Sequence, residues 1–278
     1  MQTFNAEILA AVAAIDQNWK GKGYDLHSYF THDLAYGPDC CIKANHPPLT
    51  MCVAAVTEII VEALNGYFAK TQDSVPFQKL PIRSWRGGSR SDIRAHIFMY
   101  DGLHCSGTAH ALERFGIGRQ TSFEQLQPGS FINLNRTAGS GHACVFLSYL
   151  DAAGNDVASY GPSVAGFKYF SSQGKGSPDG GFGYRWGFFD GHCPTSLPNG
   201  RRRDCGIIRS AKPNLLCCGV MLHPASWPSG DIIARGVAES LSAVTEGMND
   251  LTPDELAQEM ARELPAPDLS RFDGVTTD

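Results

Sequence analysis

Apolar residues fill nearly every position of Pro48-Leu49-Thr50-Met51-Cys52-Val53-Ala54-Ala55-Val56-Thr57-Glu58-Ile59-Ile60-Val61-Glu62-Ala63-Leu64. The run has no Gly or Pro after its start, and Glu62 is the only strongly polar residue of its last turn. It predicts a helix with Thr50 as N-cap. A second apolar run, Gly141-His142-Ala143-Cys144-Val145-Phe146-Leu147-Ser148-Tyr149-Leu150, follows a Gly/Ser turn and predicts a strand opened by His142. The turn Asp151–Asp156 ends that strand and starts a hairpin. Beyond it lie Val157–Tyr160 and the better-alternating Gly166–Gly174, with Phe167, Tyr169 and Ser171 on one face and Lys168, Phe170 and Ser172 on the other. Gly174–Gly183 reads as a loop without a P-loop pattern. Phe182, Tyr184, Trp186, Phe188 and Phe189 then predict a strand that closes the sheet.

Three further segments read as helix. Met1–Asp16 has the pattern of an amphipathic helix of the folded protein. Leu103–Gly116 predicts a helix beginning near Ser106 or Thr108, with Gly116 just past its end. In Leu251–Leu264, Thr252, Pro253 and Glu255 form a capping box, and Leu256, Met260 and Leu264 make a narrow apolar stripe. Pro265 and Pro267 end that helix, and Asp268–Asp278 are expected to be poorly ordered. The stripe fits docking on the body or binding a protein partner. The expected division is a catalytic body, 1–230, and an acidic helical tail, 231–278.

Composition fits a globular protein able to bury a full core: 278 residues, 42% hydrophobic and 18% charged. No apolar run approaches the roughly 20 residues that span a bilayer. Residues 231–278 hold 11 acidic and 3 basic side chains, and the remainder holds 17 acidic and 20 basic. A body of net +3 is too weakly basic to select a partner. The basic clusters Arg83, Arg86, Arg90, Arg94 and Arg201-Arg202-Arg203 read as solvated faces, and nucleic acid is not an expected partner. The N-terminus has no basic n-region, and Glu7 interrupts its apolar part, unlike a signal peptide. Nine cysteines, an odd number, argue against a disulfide framework and for synthesis in a reducing cytosol.

Candidate chemistry centres on Cys52. A thiol in a first helical turn lies at the positive end of the helix dipole, which favours the nucleophilic thiolate. Cys40 and Cys41 are rivals, but Pro47 and Pro48 follow them closely and predict a loop without that dipole. His142 is the candidate base, since Cys and His need meet only in space. A third group should accept a hydrogen bond from the second imidazole nitrogen. Gln173 or Ser172 are candidates, with Ser159 and Asp156 as competitors. The Cys52 backbone N–H is a natural donor to an oxyanion. His104, Cys105 and His110 lie close together, but neither Cys-x-x-Cys nor His-Glu-x-x-His occurs, so no metal or other cofactor is expected.

A cysteine heading a helix, then Leu126-Gln127-Pro128-Gly129-Ser130-Phe131-Ile132, then Gly141–Leu147 resembles papain-like cysteine peptidases and amidases of the NlpC/P60 and CHAP groups. The resemblance covers roughly residues 30–190. It implies an α+β papain-like fold with the nucleophile helix packed on an antiparallel sheet, and a polar third residue on the strand after the His strand. It also implies hydrolysis of amide bonds in peptidoglycan stem peptides. Related enzymes often place a tyrosine hydroxyl near the nucleophile, which makes Tyr36 a candidate for positioning substrate or oxyanion. Many members carry Asp-Cys-Ser-Gly at the nucleophile, whereas Cys52 sits in Thr50-Met51-Cys52-Val53-Ala54. Alternatives are a peptidase or amidase acting on a protein or small-molecule amide, and a catalytically inactive binding module. A wall substrate would require delivery to the periplasm or cell wall by lysis or a dedicated secretion machine.

Overall fold

A computed structural model describes residues 2–80, 106–174, 180–230 and 232. Helix α1 (Asn5–Trp19) buries Ile8, Ala11, Val12 and Ile15, the single stripe expected of an amphipathic helix. A short antiparallel hairpin follows, β1 (Leu34–Tyr36) and β2 (Asp39–Ile42). Cys40 and Cys41 therefore lie on a strand and not in the expected loop.

Helix α2 (Cys52–Thr71) starts one residue beyond the expected cap, with Met51 at the N-cap. Thr50 instead offers its backbone carbonyl to Ser172 Oγ, 3.0 Å away. The helix runs past Gly66 and stops at Gln72, a left-handed residue whose N–H bonds to Phe68 O. At 20 residues and mean hydropathy 1.4 it is long and apolar enough to cross a membrane, which the sequence reading did not anticipate. Here Cys52 to Val61 are all buried, so its apolar character is that of a core helix.

Among the described residues the remaining α-helices are α3 (Val75–Lys79) and α4 (Thr108–Arg114), the latter followed by Gly116 at φ +72° as expected. Eight strands form the main sheet: β3 (Gly118–Gln120), β4 (Phe131–Asn135), β5 (Gly141–Leu150), β6 (Asp156–Val157), β7 (Gly166–Gln173), β8 (Gly181–Phe189), β9 (Arg203–Ile207) and β10 (Leu216–Met221). The order is β3-β10-β4-β5-β7-β8-β9, with β6 on the outer part of β5. All pairings are antiparallel except β8 with β9. The molecule is thus α+β, with helices packed on a mostly antiparallel sheet. β8 does not close the sheet, because β9 lies beyond it.

Strand alternation divides the core in two. Phe131, Ala143, Val145, Phe170 and Phe182 share a core with α1 and α2. Ile132, Leu134, Cys144, Phe146, Phe167 and Tyr169 build a second core on the other face. That second face curls on itself. Thr137 N–H donates to Gly206 O (2.9 Å) and Ile208 N–H to Asn135 O (2.9 Å), so the end of β4 meets the end of β9. Cys193 and Cys205 form a disulfide across the β8–β9 connection. This corrects the expectation from an odd cysteine count: one pair is near enough to bridge, at Cα–Cα 5.6 Å, without any wider framework being required.

Candidate active site

The ladder between β5 and β7 begins at Val145–Phe170, leaving the start of β5 and the end of β7 outside the paired register. The N-terminus of α2 fits against this end, held by the Ser172–Thr50 bond. Cys52, at the first helical position, is 0% exposed. Its sulfur is hydrogen-bonded by the backbone N–H of Ala143, the hydroxyl of Tyr24 and the backbone N–H of Val53. The thiol therefore reaches β5 one residue past His142.

His142, also 0% exposed, turns toward the second core face beside Tyr169, with ring centroids 5.5 Å apart. Its Nε2 lies 3.1 Å from Gln173 Oε1. The tautomer follows from the partner. Gln173 Nε2 donates to Gly183 O at 3.2 Å, which fixes the amide with its oxygen toward the imidazole. An amide oxygen only accepts, so His142 Nε2 carries the proton and Nδ1 carries the lone pair. That Nδ1 is buried and has no hydrogen-bond partner.

The electrostatics reverse the expectation from the helix dipole. Burial pushes the Cys52 thiol up to about 11, although Ala143, Tyr24, the Arg136 charge and Val53 all act downward. A helix N-terminus favours an anion by about 0.3–1 kcal/mol, reaching ~2 in favourable sites. Taking an ion out of water costs on the order of several kcal/mol, so burial wins. Burial likewise pushes His142 down to about 3, helped by Arg136 and opposed by Asp204 and Gln173. The resting pair is a neutral thiol and a neutral imidazole.

A described segment covers the sulfur. Gly21 and Gly23 N–H groups bond to Phe182 O and Gly180 O, Tyr24 bridges Thr50, and Met51 N–H bonds to Ser28 O. Gly181 permits this seat: a Cβ there would stand 2.8 Å from Gly23 N. Farther along, Thr31 donates from its backbone N (2.9 Å) and Oγ1 (2.5 Å) to Glu58, fully buried on α2.

Family models, curated proteins and solved structures contain no match to this chain. The site therefore stands on its own geometry.

Of the predicted residues, the structure brings His142 and Gln173 into hydrogen-bond contact and sets Cys52 against the adjoining peptide. The others go elsewhere. Ser172 points to the α2 face, as alternation requires, and bonds Thr50 O. Asp156 is exposed and bonded to Ser148, and Ser159 is exposed. Tyr36 is buried against Phe77 and donates to Leu80 O at 2.5 Å, a core role. The tyrosine at the sulfur is Tyr24 instead. His110 is structural, accepting from Ser106 N–H (3.1 Å) and facing Arg114 Nε (3.2 Å). Among the described residues no group of three His, Cys, Asp or Glu side chains could hold a metal ion. Arg201 and Arg203 pin loops, donating to Gly154 O and to Pro194 O and Thr195 O.

His104, the Arg83–Arg94 cluster and the tail helix lie outside the described residues. So does Cys105, which heads a Cys-Ser-Gly tripeptide before α4 that the reading of the nucleophile motif passed over. Sequence reasoning also missed Tyr24, Arg136, Tyr169 and Asp204. Only Tyr169 carried a signal, since it shares the alternating face of β7 with Gln173.

Proposed function

We propose that the protein is a papain-like cysteine hydrolase that cleaves an amide bond, with Cys52 as nucleophile, His142 as base and Gln173 as the group orienting the imidazole. The observation that carries this reading is the Gly183–Gln173–His142 chain. It holds the imidazole in one tautomer and leaves a bare, buried Nδ1 without a partner, next to the peptide that contacts the Cys52 sulfur. A buried acceptor left unpaired costs about 1–3 kcal/mol, which a proton-transfer role accounts for.

The reaction begins when substrate displaces Tyr24. Because Cys52 lies on the α2 face and the His142 ring points to the second core face, the sulfur meets Nδ1 only once the start of β5 turns the imidazole toward α2. Cys52 Sγ bonds to the amide carbon as its proton passes to His142 Nδ1. The Cys52 backbone N–H, with Tyr24 as a second donor, stabilises the oxyanion. The C–N bond then breaks, with His142 giving its proton to the leaving nitrogen. Water, deprotonated by His142, attacks the thioester, and the acid departs with the thiol restored. The motif resemblance puts peptidoglycan stem-peptide amides first among substrates, reached through lysis or secretion, ahead of protein and small-molecule amides.

Complete burial of both groups favours a second reading, a catalytically silent domain of the same fold. Purified sacculi incubated with wild type, Cys52→Ala and Cys105→Ala separate them, with soluble fragments weighed by mass spectrometry. Release by wild type and Cys105→Ala alone supports the assignment, and the fragment masses identify the bond. Release by Cys52→Ala but not Cys105→Ala transfers the nucleophile to the Cys-Ser-Gly site. No release by any protein removes the wall substrate.

A further inference from the structure

A buried ion pair lies beside His142. Arg136 donates from Nε to Asp204 Oδ1 (2.6 Å) and from Nη2 to Oδ2 (2.7 Å). Tyr169 donates to the same Oδ2 at 2.7 Å, and its ring forms a wall of the imidazole pocket. Arg136 also closes the turn that presents His142: its main-chain N–H donates to Ser140 O (2.8 Å) and its Nη1 to Ser140 Oγ (3.2 Å). The pair therefore holds both the chain entering His142 and the ring lying against it.

Stability alone is a poor reason for this arrangement. A buried ion pair roughly breaks even against apolar residues of the same volume, because desolvation offsets the Coulomb attraction. What apolar residues would not reproduce is a fixed Tyr169 hydroxyl and a closed Arg136–Ser140 turn. Burial pushes the Asp204 carboxyl up, but the Arg136 charge and the hydrogen bonds from Arg136 and Tyr169 hold it below the usual carboxylate range. Asp204 is thus an anion and favours the imidazolium, but the Arg136 charge opposes it more strongly, so what the pair supplies to His142 is position and not net charge.

We propose that Asp204 is a positioning residue for His142, acting through the Tyr169 ring on one side and the Arg136–Ser140 turn on the other. This rests on the reading of Cys52 and His142 as a thiol–imidazole pair. It extends the site to β9, the parallel strand at the sheet edge, which the curl of the second face brings back to β4.

The test is alkylation of Cys52 by iodoacetamide in the full chain, resolved residue by residue by mass spectrometry. Reagent is kept in the range where rate is proportional to its concentration, so that opening of the covering segment stays at equilibrium. Asp204→Asn removes the charge, and Tyr169→Phe keeps ring and ion pair intact should Asp204→Asn fail to fold. Near about pH 7 both variants should label Cys52 roughly tenfold more slowly than wild type. Near about pH 10, where hydroxide ionises the thiol without the imidazole, the rates should agree within about twofold. Equal slowing at both pH values would show a purely structural cluster and overturn the proposal, as would no slowing at either. His142→Ala separates the two levels. If it slows labelling near neutrality while the other variants do not, only the Asp204 role fails. If it leaves labelling unchanged, the thiol–imidazole reading fails and this proposal with it.

Discussion

At the scale of single residues, the same residue type serves opposite ends depending on what its polar atom meets. Tyr36 and Tyr24 both bury their rings, yet one hydroxyl ends on a backbone carbonyl and the other on the candidate nucleophile. Gln173 is set apart from Ser172 by one step of the strand, enough to send them to opposite faces of the sheet. Gln173→Ala should therefore release the imidazole. We expect kcat to fall by roughly 10²-fold, with KM little changed. The 15N shifts of His142 should move from the pure Nε2–H form to a mixture of tautomers. Tyr36→Phe is the contrast: it leaves Leu80 O unpaired, costs about 1–3 kcal/mol in denaturant unfolding and leaves turnover intact. A larger loss of turnover in Tyr36→Phe than in Tyr24→Phe would reverse the assignment of the two tyrosines.

At the scale of elements, helix α2 does two jobs. Its first residue carries the thiol, and Glu58, less than two turns on, holds the segment that covers that thiol. The segment has positive φ at Gly21 and Gly23 near one end and at Phe30 near the other. For Phe30 that conformation is strained and persists only because its neighbours are pinned. Thr31 supplies the pin, and His32 adds to it, with Nδ1 3.7 Å from Glu58 and Nε2 3.7 Å from Glu62 under the stacked Trp19 ring. Thr31→Val removes one of two bonds to Glu58 without changing shape much. With Glu58 raised to about 8 the carboxyl is largely neutral near about pH 7, and an ordinary hydrogen bond contributes roughly 0.5–1.5 kcal/mol, so Cys52 should alkylate about two- to tenfold faster in this variant. An unchanged rate would mean that the segment does not control access.

For the whole molecule, two buried groups set opposite limbs of stability against pH. His142, down from 6.5 to about 3, binds fewer protons folded than unfolded, so stability is lost as pH falls below 6.5 and continues to fall to about 3. Glu58, up from 4.5 to about 8, binds more protons folded, so stability present below 4.5 is lost as pH rises to about 8. Between 4.5 and 6.5 the two slopes cancel, each being at most about 1.4 kcal/mol per pH unit. Denaturant midpoints should therefore form a plateau there and decline on both sides. Glu58→Gln should flatten the alkaline limb and His142→Ala the acid limb. A maximum above pH 8 would contradict both assignments.

Much of this was readable from the chain. The apolar run after Pro48, the Gly/Ser turn before His142, the stripe of α1 and the alternation through Gln173 are local patterns, and local sterics and hydrogen bonding write them into neighbouring residues. They were enough to expect helices on an antiparallel sheet and to single out His142 and Gln173, which the structure brings into contact. They misplaced the start and end of α2, put Cys40 and Cys41 in a loop and named Tyr36, whose hydroxyl ends on Leu80 O, and not Tyr24, whose hydroxyl meets the Cys52 sulfur. What only the tertiary structure decided is which groups lose their water and which distant groups meet. Burial turned the expected low-pKa thiol into a neutral one, overriding a helix dipole worth far less. The curl of the sheet joined Asp204 to Arg136, and the disulfide paired two cysteines that spacing alone had not. Such contacts depend on the path of the whole chain, and no short window of sequence contains them.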